Sequence, residues 1–192
     1  MDQTENLEKK DEELVLASIV TADDFRYLIE RYEQKLTRYI QRTLYVNHED
    51  TEDILQEVFI KVYRNLNNFN PKYKFSSWIY RITYNECISF YRNHKKYKLN
   101  IDLSLEKKVF DEIVSDINIE KDVLIEADKE MVTNTLDKLD EKYRAVLVLK
   151  YIEEKDYNEI SEILKLPIGT VGSLVSRAKS IFKDLINHDK SK

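Results

Sequence analysis

From Ile54 to Leu66 the apolar residues Ile54, Leu55, Val58, Phe59, Val62 and Leu66 recur at steps of one, three, one, three and four. Only a helix with one buried face makes that spacing a continuous stripe, because 3.6 residues per turn returns every third and fourth position to the same side. The same period runs through Phe25, Leu28, Ile29, Tyr32, Leu36, Tyr39, Ile40 and Leu44. Little in the chain interrupts it: 192 residues contain two Gly and two Pro, while 35% are charged. Few breakers and many solvated charges favour helices over a turn-rich sheet, so the expected fold is all-α.

The breakers and caps divide the chain. A short helix is expected over 11–20, with Leu14, Val15, Ile19 and Val20 on one side. Thr21 is placed to cap the second helix, with Asp23 and Asp24 in its first turn, and Asp50 to cap the third. Asn70-Pro71 punctuates a loop over 67–74, after which Ser76 or Ser77 would cap a fourth helix through about His94. Phe75, Trp78, Ile79 and Ile82 form its expected buried stripe, leaving Tyr80, Arg81 and Tyr84 exposed; Cys87 and Phe90 read as packing. These four helices make a first domain over 11–98.

Residues 99–128 alternate acidic and apolar residues without a sustained period and read as a linker. A second helical domain follows over 129–186, with helices expected at 129–138, 141–153, 157–164 and 168–186. Asp156 and Glu159 make a capping-box pattern, and Lys165-Leu166-Pro167 a tight turn. With Ile160, Ile163, Leu164, Val171, Leu174 and Val175 inward, the last two helices read as a helix-turn-helix. The outer face of the last offers Thr170, Ser173, Ser176, Arg177 and Lys179, and no acid occurs from Leu166 to Lys183. A helix that enters a DNA groove needs such a face.

Charge is segregated along the chain. Residues 61–98 hold nine bases and one acid, Glu86, a net of +8 in a chain whose net charge is −5. The linker carries nine acids and three bases. In the basic stretch the positive side chains alternate with aromatic rings, which is the chemistry of a single-stranded nucleic-acid surface: cations for phosphates, rings on which bases stack. Enzyme chemistry is disfavoured. His48, His94, His188 and the single Cys87 lack metal-ligand spacing, and no Gly-rich phosphate loop is present. No cofactor, metal site or small-molecule substrate is expected. With no apolar run at the start and none of the ~20 residues a membrane helix needs, a cytoplasmic protein is expected.

Three stretches together resemble a known family: D-T-E-D-I-L-Q-E-V-F at 50–59, K-F-S-S-W-I-Y-R-I-T-Y-N at 74–85, and Y-N-E-I-S-E-I-L-K-L-P-I-G-T-V-G-S-L-V-S-R-A at 157–178. With L-D-E-K-Y-R-A-V-L-V-L-K-Y at 139–151 they resemble bacterial RNA polymerase sigma factors of the extracytoplasmic-function subgroup, which keep regions two and four. The resemblance implies that the first domain is region two and the second region four. It puts Asp53, Gln56 and Glu57, otherwise readable as a solvated helix face, where the family docks on the clamp helices of the polymerase's largest subunit. Asn70, Lys72, Tyr73, Lys74, Tyr80, Arg81, Tyr84, Arg92, Lys95 and Lys96 stand where it captures the non-template strand at the minus-ten element. Thr170, Ser173, Ser176, Arg177 and Lys179 stand where it reads the minus-thirty-five element. The implied partners are core RNA polymerase, promoter DNA and an anti-sigma factor. The acidic linker would thread the polymerase as a nucleic-acid mimic. In one place the chain departs from the pattern: Gly172 and Leu174 occupy positions where the family often has a base and an Arg, which implies weaker or altered minus-thirty-five recognition. The competing reading is a stand-alone helix-turn-helix regulator, for which the row at Asp53 and the aromatic basic helix would have no use.

Overall fold

The computed structural model describes residues 9–94, 132 and 135–190. Every regular element among them is helical. They form two compact units: one takes residues up to Gln41 and from His48 to 94, the other takes Arg42–Asn47 with the described residues from 132 onward. The expected linker, the approach to the second domain around 119–131, and Lys95 and Lys96 lie outside the described residues.

In the first unit α1 spans Asp11–Val20, α3 His48–Arg64 and α4 Phe75–His94; α2 spans Phe25–Leu44, and residues 25–41 of it belong to this unit. The stripe that defines α3 is its inner face. Ile54, Leu55, Val58 and Val62 are buried against α4, while Phe59 is half-buried and stacks edge-on to Phe25 at 6.3 Å. Around them lies a core of Leu14, Val15, Leu28, Leu36, Tyr39, Ile40, Phe75 and Ile79. Burial of this kind supplies the folding drive, about 1.5–3 kcal/mol for each large apolar side chain removed from water.

Local chemistry differs from expectation at four starts and ends. Thr21 is extended and makes no side-chain cap; the chain runs through a 3-10 turn over Ala22–Asp24 before α2 begins at Phe25. Asp50 does not cap α3, which starts two residues earlier at His48, so Asp50 and Glu49 are its first-turn acids. Ser76 and Ser77 likewise fall inside α4; its first N–H, at Phe75, is satisfied from α1 by Glu12 at 3.0 Å. On α1 only Leu14 and Val15 of the expected stripe are buried, whereas Ile19 and Val20 face solvent. Two apolar positions per two turns suffice for so short a helix, and its polar anchors do the rest.

In the second unit α5 spans Glu141–Leu147 and continues as a π-helical turn over Val148–Ile152. The wider π turn lengthens the segment without breaking it, and Val148 and Leu149 remain fully buried. Arg144 donates from one guanidinium nitrogen to the carbonyls of Asp137 and Leu139, both at 3.1 Å, closing the turn that precedes α5. Helix α6 spans Tyr157–Leu164 and α7 Ile168–Lys190. The capping box forms as its residues require: Glu159 N–H donates to Asp156 at 2.9 Å, and Asp156 N–H to the Glu159 carboxylate at 2.9 Å. Lys165, left-handed at φ 56°, ends α6, and the Ser161 hydroxyl donates to the Leu166 carbonyl at 2.6 Å across the turn. Ile160, Ile163, Val171, Val175, Ala178, Phe182 and Ile186 close the core.

Candidate nucleic-acid and protein-docking surfaces

Three surfaces emerge, two on the first unit and one on the second. The first is on α3. Asp53, Gln56 and Glu57 are exposed, on the side opposite Ile54, Leu55 and Val58. Steps of three and one put the three side chains in one row. Nothing in the fold asks for two carboxylates there, since both lie beyond the first turn where the helix end would favour acids.

The second surface begins in the loop before α4. Tyr73 N–H donates to the Asn70 carbonyl at 3.0 Å, and Lys72 N–H to the Asn70 side-chain oxygen at 3.0 Å. Asn70 is thus the residue that shapes the turn. That turn leaves Lys72, Tyr73 and Lys74 exposed, with Tyr73 55% exposed as a whole residue. Along α4, Arg81 and Tyr84 are half-buried and Arg92 is exposed. Tyr80 is a correction: it is 2% exposed, its ring 5.1 Å from Tyr39, and belongs to the core. Period alone put it outside, but α4 buries a wider face than the stripe of Phe75 and Ile79. Ile82 moves the other way and is half-buried. Trp78 is half-buried between Phe69 at 5.4 Å and Phe75 at 5.7 Å, a packing role more than a free platform. The one acid of the segment, Glu86, is held by Lys61 at 2.6 Å, so α3 and α4 are joined by an ion pair.

The third surface is the outer side of α7. Thr170, Ser173, Ser176, Arg177 and Lys179 are all exposed. Ser173 donates its hydroxyl to the Gly169 carbonyl at 2.9 Å. Arg177 has no ion-pair partner among the described residues. Leu174 does not join the inner face; it is half-buried and lines a shallow recess of about 340 Å³ with Gly169, Thr170, Ser173 and Arg177. Helical geometry explains this: Val171, Val175 and Ala178 already fill the core-facing stripe, and 174 sits at its edge.

The structure adds two residues that the sequence did not single out. A Cβ built on Gly172 would meet the Tyr157 ring at 3.8 Å, an ordinary contact. Over that same ring lies the Lys150 ammonium, 5.3 Å from its centroid. Lys150 and Tyr157 therefore stand beside the gap left by Gly172, and Lys179 rests 5.8 Å above Tyr151. No local pattern links position 150 to 172; Tyr157 at the start of α6 joins them, with Lys150 of the π turn over its ring and Gly172 of α7 beside it. Among the described residues no group of three or more His, Cys, Asp and Glu could hold a metal, and no helix is long and apolar enough to cross a membrane.

Comparison with known proteins finds a family match in each half of the chain. The model of sigma-70 region 2 matches residues 28–97, and that of sigma-70 region 4 matches residues 129–181. The chain is 35% identical over 168 residues to the ECF RNA polymerase sigma factor SigW of Bacillus subtilis, covering 84% of this chain and 88% of that one. It is 31% identical over 159 residues to the ECF RNA polymerase sigma-E factor of Escherichia coli K12, with 81% and 82% covered. Among solved structures, CnrH in complex with the cytosolic domain of CnrY superimposes with a TM-score of 0.69 at 23% identity, covering 93% of this chain and 98% of that one. The sigma factor RpoE of Bartonella quintana, solved with the anti-sigma factor NepR, gives 0.62 at 21% identity, with 85% and 97% covered.

Proposed function

The chain belongs to the extracytoplasmic-function group of the sigma-70 family, and from that premise we propose how its three surfaces divide the work. As a member it directs core RNA polymerase to promoters in transcription initiation. The row Asp53, Gln56 and Glu57 docks on the clamp helices of the polymerase's largest subunit. The turn at 70–74, with Arg81, Tyr84 and Arg92, captures the non-template strand of the minus-ten element. The outer face of α7 reads the minus-thirty-five duplex. The protein acts in the cytoplasm, is not itself an enzyme, and is controlled by an anti-sigma factor that covers these surfaces; the similar RpoE of Bartonella quintana was solved with the anti-sigma factor NepR.

One observation carries this reading beyond a simple helix-turn-helix regulator. The same unit presents an exposed acidic row and, in a separate place, an exposed Tyr73 between Lys72 and Lys74. A duplex reader needs neither. A factor that must both hold polymerase and trap an unstacked base needs both, since the trapped base recovers about 1–3 kcal/mol on a ring. Transcription by core polymerase on a promoter library tests it. The full chain should support promoter-dependent initiation, and Tyr73→Ala should reduce open-complex formation about tenfold or more, one stacking interaction's worth. Duplex binding without any promoter-dependent initiation would favour the stand-alone regulator.

The gap at Gly172 yields a second expected result. Gly172→Lys has room for its Cβ against Tyr157 and removes a mid-helix glycine, which costs about 1 kcal/mol relative to Ala. One added phosphate contact should strengthen minus-thirty-five duplex binding and steepen its log–log salt slope by about 0.9. An unchanged affinity and slope would show that position 172 does not face the backbone.

A further inference from the structure

The first N–H of a helix has no partner within it, and the helix end carries partial positive charge. At the start of α4 that N–H belongs to Phe75, and its acceptor is Glu12 Oε1 at 3.0 Å, 63 residues away in sequence. The serines that follow do not take this role. Ser77 is buried, and its hydroxyl has no hydrogen-bond partner among the described residues. Glu12 is itself held in place through its neighbour. Asp11 accepts from Arg31 at 2.6 Å and from the Tyr32 hydroxyl. Burial first, and then the bond to Asp11, push the Tyr32 hydroxyl far above its ordinary pKa, so it stays a donor throughout the physiological range. The Tyr32 ring in turn meets the Phe75 ring edge-on at 5.5 Å. Asp11, Tyr32, Phe75 and Glu12 thus close a circuit of contacts, two polar and one aromatic, around the point where the turn at 70–74 becomes α4.

We propose that Glu12 is a positioning residue for strand capture: by capping α4 from outside, it sets where the helix begins and hence how Tyr73 and Lys74 are presented. This deepens the minus-ten assignment of the turn and rests on it. A carboxylate next to a phosphate-binding turn would ordinarily oppose DNA. Here its charge is committed to the helix end and to a backbone N–H, so the turn gains definition while its cations stay outward. Helices that begin after a flexible loop fray at their first turn unless capped. Without Glu12, the residues just before Phe75 would sample many arrangements, and the ordering would have to accompany each capture event.

The test uses the full chain with Glu12→Ala and Glu12→Gln, and two readouts. Trp78, the only tryptophan, packs 5.7 Å from Phe75 and reports on the start of α4 without polymerase. Acrylamide quenching of Trp78 should rise in Glu12→Ala and return to the wild-type level in Glu12→Gln, whose amide oxygen still accepts the Phe75 N–H. In holoenzyme, Glu12→Ala should bind a forked probe with an unpaired minus-ten strand about tenfold more weakly, the effect of losing one cap. Glu12→Gln should recover to within about twofold, and assembly with core should be unchanged for both. The proposal is overturned if Glu12→Ala captures the fork as the wild type does. It is also overturned if Glu12→Gln fails as badly as Glu12→Ala, or if assembly with core falls in parallel, which marks a general loss of structure. Should the wild-type holoenzyme ignore the forked probe, the minus-ten assignment fails instead, and Trp78 quenching still decides whether Glu12 holds α4.

Discussion

Replacing Asp53 and Glu57 together by lysine is expected to reduce assembly with core polymerase at least about 100-fold, because like charges brought face to face at an interface cost several kcal/mol. Both side chains are exposed on α3 and one turn apart, so on the proposed docking role the doubly substituted row would present two ammonium groups where the partner surface takes carboxylates. Folding should barely register the change. Asp53 and Glu57 are themselves a like-charge i,i+4 pair, and a Lys–Lys pair repels by a similar amount, about 0.2–0.5 kcal/mol. Surface changes of this kind stay near ±0.5 kcal/mol in stability. Competition for core against the wild type, alongside a thermal melt, separates the two effects. Assembly within about threefold of the wild type would return the row to the status of an ordinary solvated face.

The largest effect on stability is expected at Phe75. Its side chain is fully buried, with Tyr32 at 5.5 Å, Phe69 at 5.6 Å and Trp78 at 5.7 Å around it. Phe75→Ala removes a ring from the centre of that aromatic cluster and leaves a cavity, at a cost of about 3–5 kcal/mol. In a unit of this size each kcal/mol is worth about 4–8 °C, so its melting midpoint should fall by at least about 12 °C. Domains of this kind have only about 5–15 kcal/mol to lose. Trp78 fluorescence reports the transition directly. A fall under about 4 °C would mean that the cluster repacks around the vacancy. The same residue links stability to function, since its ring and its backbone N–H both anchor the start of the helix that follows the Tyr73 turn.

The parts of the protein that were legible in advance are those decided within a turn or two of chain. The α3 stripe, the Asp156–Glu159 box and the exposed rows on α3 and α7 all follow from helical period and from side chains meeting backbone three residues away. The failures have the opposite character. Tyr80 lies one residue off the expected stripe, which period alone turns to solvent; α2 brings Tyr39 against it, and no pattern within α4 could announce that. Period turns Leu174 inward, yet Val171, Val175 and Ala178 fill the core-facing stripe and leave it half-buried. Thr21, Asp50 and the serines at 76 and 77 have the right chemistry for caps, but a cap needs an extended residue directly before the first turn. The three helices begin elsewhere.

The start of α4 shows the boundary between the two kinds of information. By itself the sequence determined that a helix follows the Asn-Pro loop, that its flanks are basic and aromatic, and that a helix-turn-helix lies near the other end of the chain. Those are consequences of periodicity, breakers and charge, which act over a few residues. Only the tertiary structure decided that Glu12 satisfies the Phe75 N–H, that Lys150 and Tyr157 stand beside the gap at Gly172, and that Glu86 is spent on Lys61. Each of these joins residues on different helices. A side chain can satisfy a distant orphan donor or charge only after the helices that carry them have packed, and that packing depends on all the buried faces at once.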